Sequence, residues 1–307
     1  MLKISIEQYN SNYKDSINQL LFVCYVDDND SKMYFERGRQ SPLNICTYIA
    51  KNNEEVIAAI TAWKTTFHPY CTYFSILLHP LYRKAGIEKL LLKYVEAFNS
   101  NAIPLQTSIW ETFYSLKDFY DKNSFSEIRR TYIASLNISS LVNVETQFIQ
   151  KNCFPKTSIK SLRDILNNVD LKENLVPFVK KIYEITHEAN PPGIHDLTKW
   201  EKLIFDEDTL LDGSYIAITD ENKILGFALL HTGENPNVLE FGWRGAAESI
   251  DINLVILLTI YQTRYARKNG YKIIKGEIDT TDIYSLEMLK FFPFSPSPSL
   301  ITYQKLK

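Results

Sequence analysis

At 307 residues, 45% hydrophobic and 23% charged, the chain has a globular composition and enough length for two ordinary domains. A formal net charge of -2 supplies no basic field for nucleic acid, no apolar run is long enough to span a membrane, and the first residues show no signal-peptide core. Cys24, Cys46, Cys71 and Cys153 are far apart and form no CxxC or Cys/His cluster, which argues against a metal site and a disulfide framework. The expectation is a soluble, cytoplasmic protein.

In chain order, Leu2 to Ile6 alternates as a strand, and residues 12–25 carry helical spacing at Ile17, Leu20, Leu21 and Cys24. After the acidic cluster Asp27-Asp28-Asn29-Asp30, a second helix is expected over Ser31 to Gly38. Asn44 to Lys51 and Glu55 to Lys64 read as strands around a turn, and Tyr73 to Leu78 as a third apolar strand. The stretch His79-Pro80-Leu81-Tyr82-Arg83-Lys84-Ala85-Gly86 then leads into a helical pattern, Ile87 to Phe98. A strand, a short loop with Arg and Gly, and a helix start make an anion site, because free N–H groups and the helix dipole face the loop. Gly86 removes a side chain where backbone would approach a phosphate. A strand at Leu105 to Trp110, a helix over Ser115 to Lys122 and a strand from Glu127 to Leu136 close this half.

A hydrophilic, poorly periodic join is expected over Asn137 to Pro155. Beyond it, Ile159 to Leu166 and Glu173 to His187 read as helical. Gly213 to Thr219, Ile224 to Leu230 and Val238 to Trp243 read as strands. Leu254 to Lys268 is a helix ending at Asn269-Gly270, followed by a strand at Tyr271 to Ile278, a helix at Leu286 to Phe291 and a last strand at Leu300 to Lys305. The same order of elements twice implies an internal duplication. Both halves are expected to be α/β, with a mixed, mainly antiparallel sheet that splays at a ligand site.

With this order on the page, two motifs carry a resemblance. Arg83-Lys84-Ala85-Gly86-Ile87-Glu88 is similar to the Q/R-x-x-G-x-G/A phosphate loop of Gcn5-related N-acetyltransferases, the GNAT family. Phe119-Tyr120-Asp121-Lys122-Asn123-Ser124-Phe125 is similar to the family's F-Y-x-K-x-G-F, with Ser124 where Gly is common. The chain resembles a tandem GNAT protein, with domains expected over 1–145 and 155–307. The resemblance implies acetyl-CoA or another acyl-CoA as donor, no metal, and direct attack by an acceptor amine in a ternary complex. It implies donor binding by the strand before the loop, at Leu77 and Leu78, and by Arg83, Lys84, Ala85, Gly86 and Ile87. It gives Tyr120 the role of general acid toward the leaving thiolate, which a phenol with an ordinary pKa of about 10 can fill. Glu111, at the end of a strand near the splay, can take a proton from the acceptor.

In the second half, the loop expected at Ala246 to Leu254 has no Gly and no Arg or Lys, and carries Glu248 and Asp251. Aligning Phe294 with Phe125 puts Leu289 where Tyr120 stands. This half is therefore expected to keep the fold without donor binding. Glu88 stands where the family has a small residue, and adds bulk and negative charge beside a pyrophosphate, although Glu also suits the first turn of any helix. Tyr114 and His68 are further candidates. The Asp27–Asp30 cluster reads either as a solvated helix end or as a rim that attracts a cationic amine, and Trp63 and Trp110 as core. The acceptor class is open: a small-molecule amine or a peptide N-terminus, not nucleic acid or a membrane. Monomer and homodimer both fit. The alternative function is a catalytically inactive binding or scaffold protein on the GNAT fold.

Overall fold

A computed structural model describes residues 3–98, 103–233, 235–248 and 250–306. The elements run β1 (Ile4–Gln8), α1 (Lys14–Cys24), α2 (Asn29–Gln40), β2 (Asn44–Asn52), β3 (Glu55–Trp63), β4 (Thr72–Leu78), α3 (Ile87–Phe98), β5 (Leu105–Trp110), α4 (Tyr114–Lys122) and β6 (Ser126–Asn137). They continue with α5 (Val142–Lys151), β7 (Thr157–Ser161), α6 (Leu162–Ile165), α7 (Val169–Thr186), α8 (Leu197–Ile204), β8 (Tyr215–Thr219), β9 (Ile224–Thr232) and β10 (Val238–Ala246). The chain ends with α9 (Asn253–Lys268), β11 (Ile273–Asp279), α10 (Ile283–Phe291) and β12 (Ser299–Lys305). The expected first strand shifts to Ile4–Gln8; its Leu2 lies outside the described residues.

Two compact units form, and neither is one continuous stretch. The first holds residues 1–129, 190–193 and 300–307; the second holds 130–189 and 194–299. Single cuts near 145 and 155 follow the repeat in sequence, whereas each unit recruits the last strand of the other repeat. In the first unit the strand order is β1-β2-β3-β4-β5-β12, and in the second β7-β8-β9-β10-β11-β6. The two orders match strand for strand. Every pairing in the first sheet is antiparallel except β4 with β5, and in the second except β10 with β11.

The first sheet is covered on both faces, so β3 reads as an almost continuous apolar run rather than an alternating one. Ile57, Ile60, Phe74 and Ile76 pack with Ile87, Leu91 and Val95 of α3. On the other face Ile49, Ala59 and Leu77 pack with Ile17, Leu20 and Leu21 of α1 and Phe35 of α2. Gly38 lets α2 approach, since a Cβ there would sit 2.2 Å from the Trp63 ring.

Three expectations change in the second unit. The segment 137–155 is not a bare join: α5 buries Phe148, and its Glu145 carboxylate accepts from Thr263 Oγ1 at 2.8 Å and Arg267 Nη2 at 2.6 Å. A buried contact made by a carboxylate leaves no apolar period to read. Ile159 belongs to β7, not to a helix, which starts only after Ser161 caps it. Finally, α8 was missed; Asp196 caps it, and Trp200 and Ile204 are its buried residues.

β12 pairs with β5 over six residues, from Leu300↔Trp110 to Lys305↔Leu105. It buries Ile301 and Tyr303, and Tyr303 donates its hydroxyl to Asp121 Oδ1 at 3.0 Å. Tyr303→Ala should lower the opening free energy of β5 amides by about 3 kcal/mol, read by native-state hydrogen exchange. Tyr303→Phe, which removes only the hydrogen bond, should cost about 1 kcal/mol.

Candidate active site

The site begins where β4 and β5 stop pairing. They are bonded only at Thr72↔Leu105 and Tyr73↔Gln106, and the strands part beyond those residues. On the other side of β4, the His79 N–H donates to Ile57 O at 2.9 Å. Antiparallel alternation then turns the backbone groups of Leu77 toward Ala59, and those of Ile76 and Leu78 toward the gap. Of the two expected donor-binding leucines, Leu78 is therefore the one that offers backbone to the gap. Its carbonyl accepts the Cys24 thiol at 3.2 Å. Cys24, Tyr25, Ile76, Leu78, Arg83 and Leu116 line a cavity here with room for about one water molecule.

The loop above the gap is shaped by its backbone. A single 3-10 turn at Pro80–Tyr82 is closed by His79 Nδ1, which accepts from the Leu81 N–H at 3.2 Å. Lys84 and Gly86 take φ of +67° and +77°, the left-handed region that glycine enters freely and lysine does not. Arg83, Lys84, Ala85 and Gly86 are exposed, Ile87 is buried, and α3 starts at once. The Ala85 N–H donates to Tyr82 O at 3.3 Å. Glu88, read either as bulk and charge beside a pyrophosphate or as an ordinary first-turn residue, is buried. Burial raises the pKa of its carboxyl, and the backbone N–H groups of Glu88 and Lys84 oppose the shift.

Tyr120 is fully buried among Phe74, Phe119, Phe125 and Tyr303, with ring centroids 5.1–6.0 Å away. Its hydroxyl makes no hydrogen bond of good geometry, and neither does the buried hydroxyl of Tyr34. Burial pushes both phenols well above their ordinary pKa, and the Thr107 hydroxyl opposes the shift in both. Thr107, the neighbour common to Tyr34 and Tyr120, is the first residue of β5 past the paired stretch. Tyr34 was not legible as a site residue, because only tertiary packing of α2 brings it to β5.

The remaining candidates disperse. Glu111 is half-buried in the turn that follows β5. Tyr114 is 76% exposed at the start of α4. His68 Nδ1 lies 3.1 Å from Pro191 O. Asp28 caps α2 through the Ser31 N–H at 2.9 Å and accepts from Trp110 Nε1 at 3.3 Å, so this member of the acidic cluster positions the end of β5. Trp63 is core, as expected; Trp110 is half-buried.

The second unit repeats the plan with different chemistry. β10 and β11 pair in parallel up to Phe241↔Gly276 and then part. Ile76 and Arg244 each lie three residues past the last paired residue of their strand. Arg244 is buried, donating through Nη1 to Thr259 Oγ1 at 2.9 Å and through Nη2 to Gly242 O at 3.2 Å. Burial lowers its pKa to about 10, with Asp282 opposing. In the loop before α9, Asp251 Oδ1 accepts from the Asn253 N–H at 2.9 Å, and Glu248 pairs with Lys181 at 3.1 Å. Ser249 lies outside the described residues. Leu289 is half-buried against the second core.

Residues 14–121 match the model of the acetyltransferase (GNAT) family. No curated protein matches by sequence. Among solved structures, a GCN5-related N-acetyltransferase from Sphaerobacter thermophilus aligns over 99% of this chain and 95% of its own at TM-score 0.64 and 12% identity. A tandem GNAT protein from the clavulanic acid biosynthesis pathway aligns over 99% and 98% at TM-score 0.57 and 12% identity. A glucosamine N-acetyltransferase region of a fungal GH3 β-N-acetylglucosaminidase reaches TM-score 0.66 at 10% identity, with 38% of that chain covered. Residues 14–121 are thus similar to the GNAT acetyltransferase family, and the chain has, along its length, the fold of these GNAT structures.

Proposed function

We propose that the chain is an acyl-CoA-dependent N-acyltransferase, with acetyl-CoA as donor, an amine as acceptor, and its chemistry in the first unit. The observation that carries this reading is the two-residue parallel pairing of β4 and β5, which leaves backbone groups of Ile76 and Leu78 facing a gap that ends at the loop 83–87. Those groups suit the amides of a pantetheine arm. The N–H groups of Lys84 to Ile87, with Arg83, suit a pyrophosphate.

In the step proposed, the acceptor nitrogen attacks the thioester carbonyl, the C–S bond breaks, and Tyr120 gives its proton to the leaving thiolate. The raised pKa of Tyr120 keeps it protonated at neutral pH and above, so it stays a donor. Glu111, directly or through water, takes the proton that the nitrogen loses. Transfer is direct rather than through an acyl-cysteine. Cys24 is the thiol at the gap, and burial pushes its pKa up to about 12, so it remains a protonated, poor nucleophile.

The second unit is proposed to bind no donor. Asp251 already accepts from the Asn253 N–H at the start of α9, and Arg244 stands where Ile76 does in the first unit. A catalytically silent binding or scaffold protein is the competing reading, and the narrowness of the cavity at the first gap favours it.

Titration calorimetry with acetyl-CoA should give one site per chain; two sites would overturn the silent second unit, and none at millimolar ligand would leave only the scaffold. Tyr120→Phe should lower kcat by about 100-fold with little change in donor affinity. In the wild type, activity should persist up to a pH above the ordinary phenol pKa of about 10 before its alkaline fall. Cys24→Ala should keep kcat within about threefold of wild type, and a loss of the order of 100-fold would return a covalent route to consideration.

A further inference from the structure

The second unit holds a cleft of about 600 Å³, open to solvent, between α6, the start of β8 and the last turns of α9. That volume suits a small molecule. Its first α9 residue, Tyr261, lies about 12 Å along the axis from the helix start at Asn253, so the cleft is separate from the parting strands. Tyr215 of β8 meets Tyr261 edge-on, with ring centroids 5.4 Å apart. Tyr265, one turn further, lies against Gly213, where a Cβ would come within 2.8 Å of its ring.

The first unit has the same aromatic rungs. The registers Tyr48↔Ile60↔Ile76 and Tyr215↔Ala228↔Arg244 put Tyr48 where Tyr215 stands. Tyr48 packs on Tyr94 and Phe98 of α3 at 4.7 and 6.2 Å. The rings therefore belong to the repeat, but the charges do not. Three residues past Tyr94 stands Ala97; three past Tyr261 stands Arg264, and Lys268 follows one turn later on the same helix face. The acids of the cleft are already used: Asp164 accepts from Ser161 N and Oγ at 3.0 and 2.8 Å, and Asp212 accepts from Arg163 Nε and Nη2 at 3.1 and 3.0 Å. The bases are not. Arg264 reaches Glu145 through Nε alone, at 3.4 Å, and its side chain is 46% exposed. Lys268 is exposed and pairs with no carboxylate among the described residues.

We infer that this cleft binds a flat aromatic molecule carrying an anionic group, its ring against the tyrosines and its carboxylate or phosphate at Arg264 and Lys268. A guanidinium fork and an ammonium one turn apart suit either anion, and tyrosine faces and edges suit a ring. Burial pushes the Tyr215 phenol up to about 12 and raises that of Tyr265, so both hydroxyls stay protonated donors at neutral pH. The site is independent of the chemistry proposed for the first unit.

The test is calorimetric titration of AMP and of indole-3-acetate into the full chain, with adenosine and inorganic phosphate as controls. At least one of the two anionic aromatics should bind with a Kd below about 1 mM, and both controls at least about tenfold more weakly. AMP alone would mark the anion as a phosphate, indole-3-acetate alone as a carboxylate. Lys268→Ala and Tyr261→Leu should each weaken binding by about tenfold or more, whereas Tyr94→Leu, the matching change in the first unit, should leave it within about twofold. Lys268 is exposed, so its replacement tests the site without risk to the fold. Failure of both anionic aromatics at millimolar concentration overturns the inference. Binding unchanged in Lys268→Ala overturns it too, because the ligand then sits elsewhere, and so does a control that binds as tightly as the anionic aromatics.

Discussion

Two residue pairs, Thr72 with Leu105 and Tyr73 with Gln106, hold β4 to β5, and the site depends on the pairing going no further. A sheet that stops pairing midway leaves backbone polar groups facing a gap, and buried groups of that kind must find partners or water. Here the chain meets part of that demand with its own side chains. Cys24 donates its thiol to the Leu78 carbonyl. The two orphaned phenols, Tyr34 and Tyr120, sit beside Thr107, where the separation begins. The gap is thus a place where the fold has left polar groups for something else to complete.

The surrounding packing explains why the gap survives. Both faces of the first sheet are covered, by α1 and α2 on one side and by α3 on the other, so the strands need not close for the core to exclude water. β12 pairs with the far edge of β5 along its length, and Tyr303 packs on Tyr120 while its hydroxyl reaches Asp121 of the same helix. That contact clamps α4 from beneath, and α4 carries Tyr120 to the apex of the gap. Strand exchange between the repeats therefore bears directly on the position of the proposed acid.

Much of this was legible in the sequence, and what was not has identifiable causes. The apolar run of β3, the loop at 83–88 and the helix from Ile87 were readable because strand composition, a left-handed glycine and a helical period are local signals. The exchange of β6 and β12 was hidden because pairing partners of short strands are not written in their own residues. α5 escaped because its buried contact includes a carboxylate, Glu145, held by Arg267 and Thr263. In the site, Tyr120 came from its motif, whereas Tyr34 lies on a helix distant in sequence. Leu77 and Leu78 read alike in the sequence, because the direction of a strand's hydrogen bonds depends on register, which only the β3–β4 pairing reveals. Glu88 was legible as a charge at a helix start, whereas its burial depends on tertiary packing that the local sequence does not show.

The two units answer one electrostatic problem in two ways. Each has a helix beginning beside a parting pair of parallel strands, and each carries an acidic residue in the first turn of that helix or just before it. In the second unit the carboxylate is Asp251, which precedes α9 and accepts from the N–H of its first residue, Asn253. Arg244, bonded to Thr259 and Gly242, adds a buried cation beside that gap, and removing so many satisfied donors would cost far more than a ligand contact returns. In the first unit the carboxylate at the helix start is Glu88, buried as the second residue of α3, and the strand position that corresponds to Arg244 is the neutral Ile76. The two units thus share the parting strands and differ in the chemistry beside them, a neutral side chain in one and a bonded, buried cation in the other.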